Sequence, residues 1–199
     1  MIRAVFFDFY SVWAPDKLAY YLAYAQLYNP DAYKELYDLV EKYYHGETDI
    51  NNLADTFRYR LGHTDITASV FQMNENNISP QIIEFVRSLH GHFLKVGILA
   101  NLGRQEFELL NGFNERNQLF ETIASPMSLN IKSPLLNRDV FVAALNGIGE
   151  PPESTLIISG NPYYLAFAAN LGVNTLMYDG LVNLQTSLPP LLSADTNPQ

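Results

Sequence analysis

Three short polar turns, each following an apolar run, hold the residues that could do chemistry. The run Ile2-Arg3-Ala4-Val5-Phe6-Phe7 ends at Asp8, and Tyr10 follows two positions on. The run Lys95-Val96-Gly97-Ile98-Leu99-Ala100 ends at Asn101-Leu102-Gly103. The run Leu156-Ile157-Ile158 ends at Ser159-Gly160-Asn161-Pro162. A carboxylate at the carboxyl edge of a first strand is where open α/β sheets place their chemistry. Asp8 is the only evident carboxylate in these turns, so Mg²⁺ would find few hard oxygen ligands there. A phenol titrates near pH 10, which makes Tyr10 a packed aromatic rather than an acid. Asn101 either orients its loop by hydrogen bonding or touches a substrate. Ser159 and Asn161 either bind a ligand or satisfy the backbone of their turn.

Other chemistries are excluded by composition. The chain has no cysteine, which removes disulfides, thiol nucleophiles and thiolate metal sites. The histidines His45, His63, His90 and His92 fit no metal-ligand spacing. Gly147-Ile148-Gly149 follows a helical pattern rather than a strand, so it is no phosphate cradle. The net charge of −9 argues against nucleic acid or an anionic membrane as partner, because phosphate contacts need clustered Lys and Arg. No apolar run reaches the length of a membrane span. The chain opens on a strand with only Arg3 as an early basic residue, so a secretory leader is not expected and a cytoplasmic protein is.

The elements that must position these turns follow from periodicity. Apolar runs alternate with helical patterns, which implies a parallel sheet with crossover helices. Residues 15–78 interrupt that alternation. There Leu18, Tyr21, Leu22 and Ala25, then Tyr33, Leu36, Tyr37, Val40 and Tyr44, recur at helical spacing on either side of Pro30. Ile50, Leu53, Phe57 and Leu61 continue the pattern, with Thr48 or Asp49 as cap and Gly62 as stop. The block reads as an insertion packed over the strand ends. The expected division is a Rossmann-like core, 1–14 and 79–199, and a helical cap, 15–78. The tail after Ser187, rich in Pro and polar residues, is expected to be loose at its end.

In this order the features resemble the haloacid dehalogenase superfamily over essentially the whole chain. Gly149-Glu150-Pro151-Pro152-Glu153-Ser154-Thr155-Leu156-Ile157-Ile158 is similar to the lead into the family's fourth motif. Ala168-Ala169-Asn170-Leu171-Gly172-Val173 is similar to the helix end after it. Gly46-Glu47-Thr48-Asp49-Ile50 resembles the subgroup with a small helical cap. The resemblance implies nucleophilic attack by Asp8, then hydrolysis of the covalent intermediate. It implies that Lys132, or Arg138 in its place, neutralises developing negative charge, and that Asn101 positions the substrate.

The phosphatase branch places a second Asp where this chain has Tyr10, and fourth-motif acids where it has Ser159 and Gly160. An ordinary Mg²⁺-dependent phosphatase is therefore disfavoured, and no cofactor is expected. Asp8-Phe9-Tyr10 and Ser159-Gly160-Asn161 resemble the metal-free 2-haloacid dehalogenase branch. That branch's water-activating carboxylate falls at Tyr164, its small hydroxyl residue at Val12 and its second-motif serine at Ala100.

The leading expectation is a divergent hydrolase of this superfamily with Asp8 as nucleophile and Tyr10, Asn101, Ser159 and Asn161 around the substrate. The alternatives are a non-catalytic relative that binds a small anion or a protein, and a metal-independent 2-haloacid dehalogenase. The expected ligand is a small or anionic molecule. The tyrosine-rich cap is the expected face for a homo-oligomer or protein partner.

Overall fold

The computed structural model describes residues 1–73, 75, 78–90, 94–129 and 138–193. Lys132 and His92 lie outside the described residues. The core is a five-stranded parallel sheet: β1 Ala4–Asp8, β2 Lys95–Leu99, β3 Thr122–Ala124, β4 Thr155–Ser159 and β5 Asn174–Met177. The strand order is β3-β2-β1-β4-β5. Strands β1 and β4 are buried at every residue, because helices cover both faces of a parallel sheet. Their uninterrupted apolar character in the sequence follows from that. At the one glycine of β2, Gly97, an added Cβ would stand 2.5 Å from the Phe6 ring, so only glycine fits there.

One apolar cluster gathers Phe7, Trp13, Val86, Ile98, Leu110 and Leu184 on one face of the sheet. A second gathers Phe6, Leu99, Phe141, Ile157 and Ala168 on the other. The covering helices include α6 Pro80–His90, α7 Arg104–Asn117, α8 Arg138–Ile148, α9 Pro162–Asn170 and α10 Leu181–Ser193. The last runs past Ser187, and the chain end expected to be loose lies outside the described residues. The helix continues to Ser193 because Leu184 and Leu188 are buried against the core.

Among the described residues between β1 and α6 are a single turn, α1 Phe9–Val12, and the helices α2 Lys17–Tyr28, α3 Pro30–Tyr44, α4 Ile50–Leu61 and α5 Ala68–Phe71. Helices α2–α5 have their own apolar cluster, centred on Leu36, Leu53, Phe57 and Ile66. The joints are written in capping chemistry. Asp16 caps α2 through the Ala19 N–H, and Asn29 ends α2 and caps α3. Asp49 caps α4, and Gly62 ends it in the left-handed region at φ 69°. Each such cap is worth about 1 kcal/mol. No helix among the described residues is long and apolar enough to cross a membrane.

The growth of the sheet reverses at β1. β2 and β3 lie on one side of it, β4 and β5 on the other. Ligand crevices of open α/β sheets form at such a reversal, outside the carboxyl ends of the strands. Asp8 and Ser159 end the two strands that flank it.

Candidate active site

Phe7 pairs with Ile158, so the next residues on the two strands, Asp8 and Ser159, emerge side by side. The Ser159 hydroxyl donates to Asp8 Oδ2 at 2.5 Å and accepts the Asn161 N–H at 2.9 Å. The one-turn helix α1 brings Ser11, three residues on, back over the carboxylate. Its hydroxyl donates to the same Oδ2 at 2.8 Å and accepts the Gly160 N–H at 2.8 Å. Each hydroxyl hydrogen is therefore committed, because a backbone N–H occupies the acceptor side of each oxygen. Gly160 permits the approach: a Cβ there would stand 3.0 Å from Ser11 Cβ.

Asp8 is only 5% exposed. Burial raises its pKa, the Ser159 and Ser11 hydroxyls pull it down, and the nearby Asp16 charge raises it, with a net upward shift. The hydroxyl of the first turn belongs to Ser11. Val12, where the resemblance put it, packs into the core. The i, i+3 spacing of Asp8 and Ser11 was the signal available in the sequence.

The carboxylate opens into a cavity of about 360 Å³ between the sheet edge and α2. Its lining includes Tyr10, Ser11, Asp16, Asn101 and Tyr164. Asn101 is 7% exposed, and its Nδ2 donates to Tyr164 Oη at 3.1 Å while Oδ1 has no partner. Tyr10 and Tyr164 are both pushed above the ordinary phenol pKa, first by burial and then by neighbouring carboxylates. Both phenols therefore stay protonated. Asn161 lines the cavity, but its Oδ1 accepts the Tyr163 N–H and caps α9. Ser159 is fully buried behind Asp8 and holds the carboxylate. Arg138 is exposed at the start of α8 and is not among the cavity's lining residues.

Mg²⁺ fits this donor set poorly. Asp8 Oδ2 already accepts two O–H groups, which leaves a cation one oxygen of this carboxylate. Among the described residues no three His, Cys, Asp or Glu side chains gather as a metal site.

A second buried acid lies nearby in the seam between core and helical block. Glu106, in the first turn of α7, is 3% exposed and accepts a hydrogen bond from the Tyr43 hydroxyl of α3. Its Oε2 has no partner. Gly103 makes room for the pair: a Cβ there would lie 2.5 Å from the Tyr43 ring and 2.6 Å from Glu106 Oε2. Sequence reasoning missed this pair, whose members are 63 residues apart.

No protein-family model and no curated protein matches the chain. Solved structures do match. A predicted HAD-like family hydrolase from Porphyromonas gingivalis superposes with a TM-score of 0.66 at 19% identity, over 96% of this chain and 98% of that one. A HAD family enzyme from Bacteroides thetaiotaomicron gives 0.60 at 15% identity, over 88% and 93%. The L-2-haloacid dehalogenase of Xanthobacter autotrophicus gives 0.55 at 18% identity, over 98% and 84%. The chain has the fold of the HAD-like hydrolases.

Proposed function

We propose that this HAD-like fold carries a metal-independent hydrolase in which Asp8 attacks a carbon electrophile of a small molecule. The observation that carries the reading is the pair of serine hydroxyls on Asp8 Oδ2. They fix the carboxylate's orientation and take up one of its two oxygens. A fixed nucleophile needs little reorganisation when the reacting atom arrives.

Charge supports carbon over phosphorus. Asp8 and Asp16 are the carboxylates among the cavity's described lining residues, and no Lys, Arg or His is among them. A phosphate dianion would meet repulsion of about 4 kcal/mol per charge pair at about 4 Å and an effective dielectric of about 20. A neutral electrophile avoids that cost. The Bacteroides protein was crystallised with magnesium and inorganic phosphate, and the Xanthobacter dehalogenase with chloropropionic acid covalently bound. The donor set around Asp8 favours the second kind of chemistry.

The test uses the whole chain with iodoacetamide, a neutral α-halo carbonyl, and separately with an aryl phosphate, each with and without Mg²⁺. Because the chain has no cysteine, thiol alkylation cannot mask the reaction. The expected result is an ester at Asp8, found by peptide mapping, with glycolamide released at a rate indifferent to Mg²⁺. In ¹⁸O-water the label enters Asp8. Metal-dependent phosphate release that disappears in Asp8→Asn would overturn the reading.

A binding protein without turnover is the second reading. It is favoured by the protonated phenols of Tyr10 and Tyr164, which stand where the resemblance expects carboxylates. Ligand-induced stabilisation with no Asp8 ester and no glycolamide would select it.

A further inference from the structure

We infer that Asp16 is the general base of the second half-reaction, taking the proton from the water that cleaves the Asp8 ester. The inference rests on the proposed role of Asp8 and supplies a group that role lacks. Once Asp8 is esterified it cannot activate water. Tyr10 and Tyr164 are protonated phenols. The Ser11 hydroxyl is bound between Asp8 and Gly160. Glu106 is committed to Tyr43 in the seam and is not among the lining residues. Of the described groups facing the cavity, Asp16 remains as a proton acceptor.

Its placement suits the task. Oδ1 accepts the Ala19 N–H at 2.8 Å, which locks the side chain at the mouth of α2. It lines the same cavity as Asp8, Tyr10 and Tyr164, and its charge raises the pKa of each. Asp16 and Tyr10 also form the shared wall of a second, smaller cavity of about 110 Å³, whose lining includes Ser69 and Gln72. That volume with polar walls holds water readily. Asp16 thus borders both a space that can hold water and the cavity in front of Asp8. Burial raises the Asp16 pKa, and the Ala19 and Leu18 N–H groups hold it down, for a net upward shift. A carboxylate raised toward the working pH is a better base than an exposed one.

The chemistry balances. In the first step an Asp8 oxygen bonds to the electrophilic carbon, and the leaving group departs with its electron pair. In the second, water attacks Asp8 Cγ as its proton passes to Asp16. The bond from Cγ to the alkyl oxygen breaks, the alkoxide takes the proton back from Asp16, and the regenerated Asp8 acid loses a proton to solvent.

The test compares wild type, Asp16→Asn and Asp16→Ser with iodoacetamide as probe. Asn and Ser are N-caps as good as Asp, so α2 stays capped. Wild type is expected to form and lose the Asp8 ester while releasing glycolamide. Both variants are expected to form the ester, with a pH profile shifted by loss of the Asp16 charge beside Asp8, and to retain it at least about 100-fold longer. Ester loss in wild type should accelerate as pH rises through the Asp16 ionisation, and that limb should be missing in the variants. Equal ester lifetimes with equal pH profiles would overturn the assignment while leaving Asp8 as nucleophile. No ester and no glycolamide in any of the proteins would overturn both.

Discussion

The sheet edge around Asp8 and the seam around Glu106 each bury a carboxylate, and they treat it in opposite ways. Asp8 receives two hydroxyl donors on one oxygen, and each hydroxyl is held in turn by a backbone N–H. It faces a cavity large enough for a small molecule. Glu106 receives one phenol, leaves its other oxygen without a partner, and is closed over by Gly103 and Tyr43. Both pKa values are raised, and in both the first cause is burial. A displaced pKa therefore does not separate a site from a seam. The support of the acid and the space in front of it do.

The largest expected effect breaks the comparison at the sheet edge. Asp8→Asn should remove glycolamide release altogether, a loss of several orders of magnitude as for other covalent nucleophiles. The amide keeps the shape of the carboxylate, so the denaturation midpoint should change little. Turnover that survives in Asp8→Asn would place the nucleophile elsewhere.

Ser159→Ala should come next. Hydrogen bonds to a charged group are worth about 1.5–3 kcal/mol, so losing one of the two hydroxyls should slow ester formation by roughly 10- to 100-fold. The Asp8 pKa should climb further, because a bond that lowers it has gone. The pH profile of ester formation should therefore move to higher pH. An unshifted profile would mean that Ser159 serves its own turn and not the carboxylate.

These two regions were unequally legible in the sequence. Asp8, Asn101 and Ser159 were readable because strands buried on both faces appear as continuous apolar runs whose ends mark the sheet edge. Asp49 was readable as a helix start, and Asp16 stands just ahead of the helical pattern that Leu18 opens, a position that marks a helix start and nothing more. That Asp16 also faces the cavity depends on how α2 lies against β1, which no local pattern encodes. Ser11 lies in a single helical turn of four residues, which has no periodicity to detect. The Tyr43–Glu106 pair was invisible for the same reason at longer range. Each residue fits its own helix, and the contact exists only once the block is packed on the core.

Tyr43→Phe tests the seam without touching the sheet edge. It strips Glu106 of its one side-chain donor and should cost about 1–3 kcal/mol in chemical denaturation. Ester formation at Asp8 should stay at the wild-type rate. If labelling at Asp8 falls with stability, the seam and the site are one cooperative unit, and the contrast between them fails.

Glu106→Gln should give the smallest change and the sharpest sign. The folded Glu106 pKa lies above the ordinary glutamate value of 4.5, raised by burial and held down in part by the Tyr43 hydroxyl. Between those two values the folded chain binds a proton that the unfolded chain has released. Its contribution to stability is thus fully present below about pH 4.5 and is lost as pH rises through the folded value. The loss can reach about 1.4 kcal/mol per pH unit for one group. Gln cannot ionise, so the variant should lack this part of the slope. The amide will also carry a fixed penalty, since it places an N–H₂ group where Oε2 already lacks a partner. That penalty does not depend on pH. The informative quantity is therefore the stability difference between variant and wild type, followed upward from pH 4.5 by denaturant titration. Asp8 and Asp16, both also raised, act equally on the two proteins and cancel in that difference. A difference that shifts toward the variant as pH rises marks Glu106 as an acid held by the fold against its own ionisation. A flat difference would mean that Glu106 keeps the same proton in both states across the range, and that its burial costs the chain nothing that pH can reveal.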